Sequence, residues 1–461
     1  MWIRLWRVSA ASLLSFVAGC AGVPLQSGQT RVAELVQSQA GVTVSSERSD
    51  TDQSVRGWLR EPLAVSTAVQ IAMLRNPTLQ MQFARLGVGA ADVFEASRLS
   101  NPGLSLAVLL PLGGASGDKL TAGASLSFSE LLLRHVRTGI AESEYRRTQE
   151  LVAASILDLA VDVQRAWFDC VGATQKAAVR RTIVESAQTS ADLAERYHQA
   201  GNIDQLALQL QASAASEAQI AAQQAAGDVT EARARLQALL GLTAGEASWS
   251  VPDSLPEPLT TELNVLKLQT LARTQRLDLA AARSHVSATD QQLSATHHYR
   301  YLGPTDLGVA GEREADGSKR VGPSVSLALP VFNQGQGAIA RAEAESAGAR
   351  AAQQLVETQI GNEVQLQADR MRLARAQAAS YRDGLIPQRE AVVARLQEQV
   401  NFMLTDTFNL LLAKQQEYAA YVGYIDAVQS YWSARTELMR AVGTRLPDEA
   451  TPPMKKPQVQ P

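Results

Sequence analysis

One stretch limits the fold more than any other. Residues 131–240 contain no proline, and Ala, Leu, Gln, Glu and Arg, the strongest helix formers, make up most of them. The interior break lies at Gly201 and Asn202, and these residue types end helices and start turns. We therefore predict two antiparallel helices, at about 130–200 and 203–240, joined near Gly201.

The first helix would be unusually long. At ~1.5 Å per residue it would measure roughly 100 Å, whereas ordinary globular helices stop near ~20 residues. Such a helix belongs to a coiled coil or a tube, and its small and apolar residues recur in an a/d heptad pattern. The pattern comprises Ile156, Val163, Cys170 and Ala177, interleaved with Leu159, Ala166 and Ala173. A second heptad pattern comprises Leu404, Leu411, Tyr418, Ile425 and Trp432.

The N-terminus has the features of an export signal. Two arginines precede an apolar run that is too short to span a bilayer, and small residues directly precede Cys20. We predict a lipoprotein signal at 1–19 and acylation, including palmitate, at Cys20; the alternative is an ordinary secretory signal. The one remaining cysteine, Cys170, then has no intrachain partner, and its place in the heptad pattern favours a small core residue.

The organisation of the first half follows from composition and periodicity. Residues 20–60 are polar and predict an extended tether, and the first ordered repeat covers 61–242. Within it, alternating apolar and small residues predict strands at about 103–111 and 120–129, joined by a glycine-rich turn. About ten residues is the length that a tilted transmembrane strand needs.

The same order then recurs. After a proline-rich linker at 243–262, a second repeat at 263–445 has strands at about 305–312 and 322–330 and long helices at about 335–401 and 404–442. The proline-rich tail 446–461 is predicted to be disordered. Two landmarks align the repeats: Ser125-Leu126 with Ser326-Leu327, and Asp204 with Asp406. Their spacings agree within one residue, which indicates an internal duplication.

These elements predict a mainly α fold with a β-barrel contribution. Each chain supplies four strands and four long helices, and an open sheet edge cannot lie in lipid because its backbone groups would remain unpaired. Three copies would close a 12-stranded barrel continued by a 12-helix tunnel. This trimer assumes that the hairpins enter lipid; the alternative is a small soluble sheet that caps a helical rod.

The sequence offers little for catalysis or for binding nucleic acid. It contains five histidines but no HExxH, CxxC, nucleophile-elbow or phosphate-loop motif, and the net charge is −3. His297 and His298 are adjacent, and adjacent residues on a helix face different ways, so one chain would supply only one of them to a metal. We therefore expect no enzyme activity, no cofactor, no metal site and no nucleic-acid partner.

Six short motifs occur at the boundaries of the predicted elements. They are Asn76-Pro77-x-Leu79, Leu99-x-Asn101-Pro102, Tyr197-x-x-x-Gly201, Leu277-Asp278-Leu279-Ala280, Leu329-Pro330-Val331-Phe332-Asn333-Gln334-Gly335 and Asn401-x-Met403-Leu404-x-Asp406-x-Phe408-Asn409-Leu410-Leu411. Together they resemble the TolC-type outer membrane factor family, the exit ducts of bacterial tripartite efflux pumps and type I secretion systems, and the resemblance covers about residues 60–445.

The resemblance implies a homotrimer in the outer membrane, anchored in lipid and extending into the periplasm. It implies a periplasmic adaptor protein and an inner-membrane transporter as partners, with the resistance-nodulation-division type favoured. The helix–helix joints would form the periplasmic tips, with Gly201, Asn202, Met403 and Leu404 as candidate adaptor contacts.

The resemblance also places a tunnel gate in the second tip. The acidic position of many relatives falls on Asn409, a departure from the family pattern, so Asp406 becomes the candidate for an anionic ring. Asp406 is equally explained as a helix N-cap, and for Asp204 the N-cap is the favoured interpretation. The function predicted is a passive exit duct of an efflux pump; a lipid-anchored periplasmic scaffold and a duct for type I polypeptide secretion are the alternatives.

Overall fold

The computed structural model describes residues 28–42, 44, 51–110, 118–246, 248–314 and 316–447. The predicted signal and Cys20, like the end of the predicted tail, lie outside these residues. The chain divides into two compact units. The sheet unit comprises the described residues of 1–31, 82–152 and 280–353, and the helix unit those of 32–81, 153–279 and 354–461.

The order of elements repeats along the chain. The first half contains α1 (Gln29–Ala40), α2 (Thr51–Trp58), α3 (Val65–Arg75), α4 (Pro77–Ala96), β1 (Gly103–Leu109), β2 (Lys119–Ser127), α5 (Phe128–Gln199) and α6 (Gln205–Leu240). The second half contains α7 (Val265–Gln275), α8 (Leu277–His298), β3 (Thr305–Arg313), β4 (Lys319–Leu327), α9 (Gln336–Ser380), a π-helical turn (Tyr381–Leu385), α10 (Ile386–Asn401) and α11 (Thr407–Val442). The predicted fold class, mainly helical with a small β contribution, is confirmed. No helix among the described residues combines the length and the apolar character that crossing a membrane requires.

The strands form one antiparallel sheet in the order β1-β2-β3-β4. Because side chains alternate along each strand, the register sorts them onto two faces. The apolar face carries Leu104, Leu106, Val108, Leu120, Ala122, Ala124, Leu126, Leu307, Val309, Gly311, Val321, Pro323, Val325 and Leu327, with Thr305, Arg313 and Lys319 at its strand ends. The opposite face carries Gly103, Ser105, Ala107, Thr121, Gly123, Ser125, Ser127, Asp306, Gly308, Ala310, Glu312, Arg320, Gly322, Ser324 and Ser326, with Leu109 and Lys119 at its strand ends.

The start predicted for β4 was three residues late. The strand begins at Lys319, which pairs with Arg313, because the preceding turn is tight. Gly317 has φ +83° there, and the Glu314 amide donates to the Ser318 carbonyl over 2.9 Å. The prediction had assigned Lys319 and its charged neighbours to the turn, but at the end of a hairpin they lie in the ladder.

The heptad pattern predicted in the first long helix is confirmed. All seven of its residues are buried in α5, from Ile156, with no exposed surface, to Ala177. Cys170, like Ile156, has no exposed surface. Burial raises the pKa of its thiol to about 11, so the group stays protonated and packs as a small apolar side chain.

The pattern predicted in the last helix was displaced by two residues. Leu404 lies before α11 and is exposed, and Trp432 is half-buried with its indole nitrogen donating to the Pro256 carbonyl over 2.8 Å. Of the five predicted residues, only Ile425 is buried. Alanine recurs at buried positions two residues further along, because it lets neighbouring helices approach more closely than a large side chain does. The buried heptad comprises Ala413, Ala420, Ala427, Ala434 and Ala441.

The second long helix of the first repeat, α6, ends at a compact corner in the helix unit. Gly241 ends α6 in the left-handed conformation, with φ +69°. Asn76, between α3 and α4, donates from its side chain to the Leu239 carbonyl over 2.8 Å. A Cβ atom on Gly241 would lie 2.6 Å from the Arg75 carbonyl oxygen, so the corner depends on glycine.

The second repeat builds the same corner with an arginine. Gly443 ends α11 with φ +78°, and Arg276 takes the place of the asparagine by donating to the Ala441 carbonyl over 3.3 Å. Arg276 also pairs with Asp278 and Glu363. Burial disfavours its charge, but the hydrogen bonds to these carboxylates outweigh burial and raise the pKa of the guanidinium. The matching corners support the predicted duplication.

The residues predicted to form an extended tether contain two helices, α1 and α2. In α1, Val32 and Val36 are one helical turn apart and fully or almost fully buried, and the Gln39 side chain donates to the Gln275 carbonyl over 2.8 Å. The polar composition of the segment concealed this i, i+4 apolar pair. Burial of the two valines holds α1 as a helix, so the tether prediction was wrong for residues 29–40.

Replacing the corner glycine tests its conformational requirement. We expect Gly241→Ala to destabilise the fold by about 1–3 kcal/mol, because alanine is strained at this φ and its Cβ meets the Arg75 carbonyl. Gly227→Ala is the matched control: it lies inside α6 with open space around its Cβ, so it should stabilise by up to about 1 kcal/mol. Thermal unfolding followed by circular dichroism compares the two. Equal midpoints would contradict the strained corner.

Candidate functional site: the helix–helix joints

The first joint connects α5 to α6 within the helix unit. Gly201 has φ +76°, and its amide donates to the His198 carbonyl over 2.9 Å while the Asn202 amide donates to the Tyr197 carbonyl over 2.8 Å. This pair of bonds is a Schellman motif, which satisfies the last carbonyls of α5. Asp204 then begins α6, with its carboxylate accepting from the Ala207 amide over 2.8 Å.

The second joint, between α10 and α11, repeats this geometry with different residues. The Met403 amide donates to the Val400 carbonyl over 2.9 Å, and the Leu404 amide donates to the Gln399 carbonyl over 2.8 Å. Met403 therefore occupies the position of Gly201, with φ +58°. Asp406 begins α11, with its carboxylate accepting from the Phe408 amide over 3.3 Å.

Met403 is the only non-glycine residue with positive φ among those the structure describes. A left-handed conformation costs an L-residue roughly 1–2 kcal/mol, which glycine at the first joint avoids. The side chains of Phe402, Met403 and Leu404 are 76%, 93% and 76% exposed, so packing inside the chain does not offset this cost. A strained turn of exposed apolar residues favours a role in binding.

One aromatic contact links the two joints. The rings of Tyr197 and Phe408 lie edge to face with centroids 6.0 Å apart. Next to them, the Asn409 side chain donates to the Thr405 hydroxyl over 3.2 Å, on the exposed surface of α11. The structure thus brings the predicted residues of both joints to one end of the helix unit.

Each predicted acidic residue has a defined structural role. Asp204 and Asp406 are both helix N-caps, as the alternative interpretation predicted, and both carboxylates remain exposed. A capping carboxylate uses one oxygen for the backbone and leaves its charge at the surface, so capping is compatible with a place in an anionic ring. Cys20 lies outside the described residues.

A series of polar contacts between α5 and α11, here the α5–α11 ladder, escaped the sequence analysis. It consists of Arg440 with Asp158 and Asp162, Arg165 Nη1 with Glu437 Oε1 (3.0 Å), Gln429 Nε2 with Asp169 Oδ1 (2.8 Å), and Lys176 Nζ with Asp426 Oδ1 (2.9 Å). Burial raises the pKa of Asp158, although Arg440 opposes the shift. The sequence signal for the α5–α11 ladder is the spacing of polar residues along α5 beside the heptad pattern.

The histidines do not converge on a metal site. His297 Nε2 lies 3.6 Å from Glu343 Oε1, whereas His298 Nδ1 lies 2.7 Å from the Ser294 carbonyl of its own helix. Within the described ranges, no three His, Cys, Asp or Glu side chains are grouped closely enough to hold a metal ion.

Part of the chain matches a known protein family. Residues 68–242 match the model of the outer membrane efflux protein family. The match covers most of α3 and all of α4 to α6, including the first hairpin and the first joint, and it confirms the predicted resemblance. A search of curated protein sequences finds no match to this chain.

Solved structures share the fold of this chain at low identity. A membrane protein from Pseudomonas aeruginosa is 19% identical with a TM-score of 0.69, covering 82% of this chain and 92% of its own. The CmeC outer membrane channel of Campylobacter jejuni is 15% identical, with a TM-score of 0.69 and coverages of 82% and 85%. The outer membrane protein VceC of Vibrio cholerae is 17% identical, with a TM-score of 0.67 and coverages of 82% and 96%.

Exchanging the residues at the left-handed positions tests the strain in the second joint. We expect Met403→Gly to stabilise the second joint by up to about 1 kcal/mol, because glycine adopts this φ freely. The reciprocal Gly201→Met should destabilise the first joint by about 1–2 kcal/mol. Amide hydrogen exchange in the last turns of α10 and α5 reports each effect. Slower exchange in both variants would contradict the strain assignment.

Proposed function

We propose that this protein is the exit duct of a tripartite efflux pump, passively conducting substrates from the periplasm across the outer membrane. The observation that carries the proposal is the sorting of side chains on the four-stranded sheet. One face is apolar and exposed, as at Leu104 (84%) and Val321 (78%), and the other bears small and polar residues. Lipid on one side and water on the other require this alternation.

The two outer strands argue for closure by further copies of the chain. The strands β1 and β4 each pair on one side only within the described sheet, and unpaired backbone groups are too costly in lipid. Three copies of a four-stranded sheet supply twelve strands, an even number within the known range of outer-membrane barrels. The long helices of three copies would continue the wall as a 12-helix tunnel in the periplasm.

The polar face suits passive conduction. Near the middle of the strands it carries Ser105, Gly123, Ala310 and Gly322, which leave the interior of a barrel open. Charged residues are confined to the ends of the strands, as at Glu312. We propose that the driving energy comes from an inner-membrane transporter, for which we favour the resistance-nodulation-division type.

The joints would form the periplasmic tip of the duct. Threefold symmetry brings three copies of Asp406 together, and converging carboxylates attract cations and repel anions. Asn409 lies on the next turn and would contribute a neutral polar ring. Gly201, Asn202, Met403 and Leu404 would contact the periplasmic adaptor protein, because the exposed apolar side chains at the second joint need an apolar partner.

Acylation of Cys20 would add a lipid anchor at the outer membrane. The covalent chains and the barrel are independent attachments, so the barrel would hold the protein in the membrane without the anchor. A lipid-anchored periplasmic scaffold would instead leave the membrane when Cys20 is replaced. This difference separates the duct from its main alternative.

Matched substitutions on the two faces of the sheet test the duct. We expect Leu106→Lys, on the apolar face, to impair barrel assembly by about 2–4 kcal/mol, whereas Ser105→Lys, on the opposite face, should assemble. The trimer content of detergent-extracted outer membranes, measured by light scattering, compares the variants with the wild type. A monomeric wild-type protein would contradict the duct. A Cys20→Ala variant that is released from the membrane without detergent would also contradict the duct and would support the scaffold.

Neutralising the proposed ring tests the gate. Asn also caps helices, so Asp406→Asn should preserve α11 while lowering the cation-over-anion selectivity of single channels about fivefold, or ~1 kcal/mol per unit charge in a water-filled passage. Asp204→Asn is the control at the other joint and should leave selectivity unchanged. Planar-bilayer reversal potentials in a salt gradient measure both. Equal effects of the two substitutions on selectivity would show that Asp406 does not line the conduit.

A further inference from the structure

The second repeat is one residue longer than the first in the segment between the strands and the helix–helix joint. Buried residues in α5 and α9 correspond at a spacing of 201: Leu159 with Ile360, Val163 with Val364, Cys170 with Met371, Ala173 with Ala374, and Ala177 with Ala378. At the joints the spacing is 202, since Gly201 corresponds to Met403 and Asp204 to Asp406. The second repeat therefore contains one extra residue after Ala378 and before Met403.

The π-helical turn lies within this interval. The Ile386 amide donates to the Tyr381 carbonyl, five residues back, so the turn encloses one residue more than an α-helical turn. Pro387 provides a local cause, because it lacks an amide hydrogen and its ring crowds the carbonyl four residues earlier. Gly384 inside the turn has open space around it. The corresponding residues 180–184 remain regular α-helix in α5.

The helix that packs against the π-helical turn, α11, contains a glycine at the same level. A Cβ atom on Gly423 of α11 would lie 2.6 Å from the ring of Tyr381, so the absence of a side chain makes room for the π-turn tyrosine. The corresponding residue of the first repeat, 202 positions earlier, is Ala221. Glycine lowers the resistance of a helix to bending. In the second repeat both helices thus have a point of low stiffness where they touch.

The contacts between helices also change at this level. The α5–α11 ladder ends with Lys176 and Asp426, one turn from Gly423. From there to the tip, the described residues contain no side-chain hydrogen bond or ion pair between α5 and α11; the aromatic contact at the joints remains. By contrast, α10 stays tied to α11 by Arg389 with Gln416 and by Glu390 with Tyr421.

We propose that the π-turn and Gly423 form a hinge in the second repeat, about which α10 and the adjoining part of α11 swing as one body. The first repeat has neither feature at the corresponding positions. As a hinge of the tip that carries Asp406, this inference rests on the proposed function; as a local weakness of the helix pair, it stands independently.

Hydrogen exchange tests the local weakness without requiring a channel. We expect amides in 381–386 of the detergent-purified protein to exchange at least about tenfold faster than those in 180–185. Deleting Gly384 restores α-helical spacing and should remove this difference, whereas Gly384→Ala keeps the residue count and should retain the π-turn. Equal protection of the two segments in the wild type would overturn the hinge.

A compensated deletion separates a hinge from a spacer. Deleting Gly384 alone removes the hinge and also rotates the tip by about 100°. Inserting one alanine after Arg395 in the deletion variant restores the phase of the tip but moves the extra residue away from Gly423. We expect neither variant to support export of a dye by cells that contain the cognate pump, while Gly384→Ala exports at the wild-type rate.

The outcomes are distinct. Wild-type export from the compensated variant would show that the extra residue only sets the phase of the tip, and would overturn the hinge. Failure of the wild type itself to conduct or export would refute the proposed duct, while the exchange comparison of 381–386 with 180–185 would still decide whether the turn is a local weak point.

Discussion

Close approach of helices along alanine-rich heptads is the interaction on which the helix unit depends. In α5, Ala166 and Ala177 are buried beside branched residues, and in α11 alanine recurs at every seventh position from Ala413 to Ala441. Small side chains bring backbones together over many turns, and this distance lets short polar groups such as Asp169 and Gln429 meet across the seam. Larger residues at these positions would separate the helices and break the ladder.

The ends of these helices depend on a second constraint, the need to satisfy the last carbonyls of a helix where the chain reverses. Glycine meets it at Gly201, Gly241 and Gly443 through the left-handed conformation. Met403 meets it with strain, at the place where the chain exposes three apolar residues in succession. Duplication thus preserved the backbone of the joint while the side chains diverged, which is expected when the second joint has acquired a binding role.

The same divergence distinguishes the helix pairs. The first repeat retains regular helices, whereas the second accommodates one extra residue in a π-turn against Gly423. The proposed hinge depends on this inequality, because only the second pair contains the π-turn and the glycine opposite it. No group of reactive side chains is needed for this work, and the buried, protonated Cys170 illustrates how the chemistry-bearing residues of the described chain serve packing.

Periodicity in the sequence determined the long helices, the hairpins, the α5 heptad and the duplication, because these follow from the spacing of apolar residues and from helix-breaking glycine and proline. It also located both joints. The tertiary structure decided what spacing leaves open. Burial of Val32 and Val36 made a helix of the predicted tether, and contact distance selected the alanine heptad of α11 over the larger residues two positions away. The extra residue of the π-turn becomes apparent only when the spacing of buried residues is compared between the two repeats. The ladder depends on the apposition of helices more than 200 residues apart in the chain, and no local sequence pattern specifies that apposition.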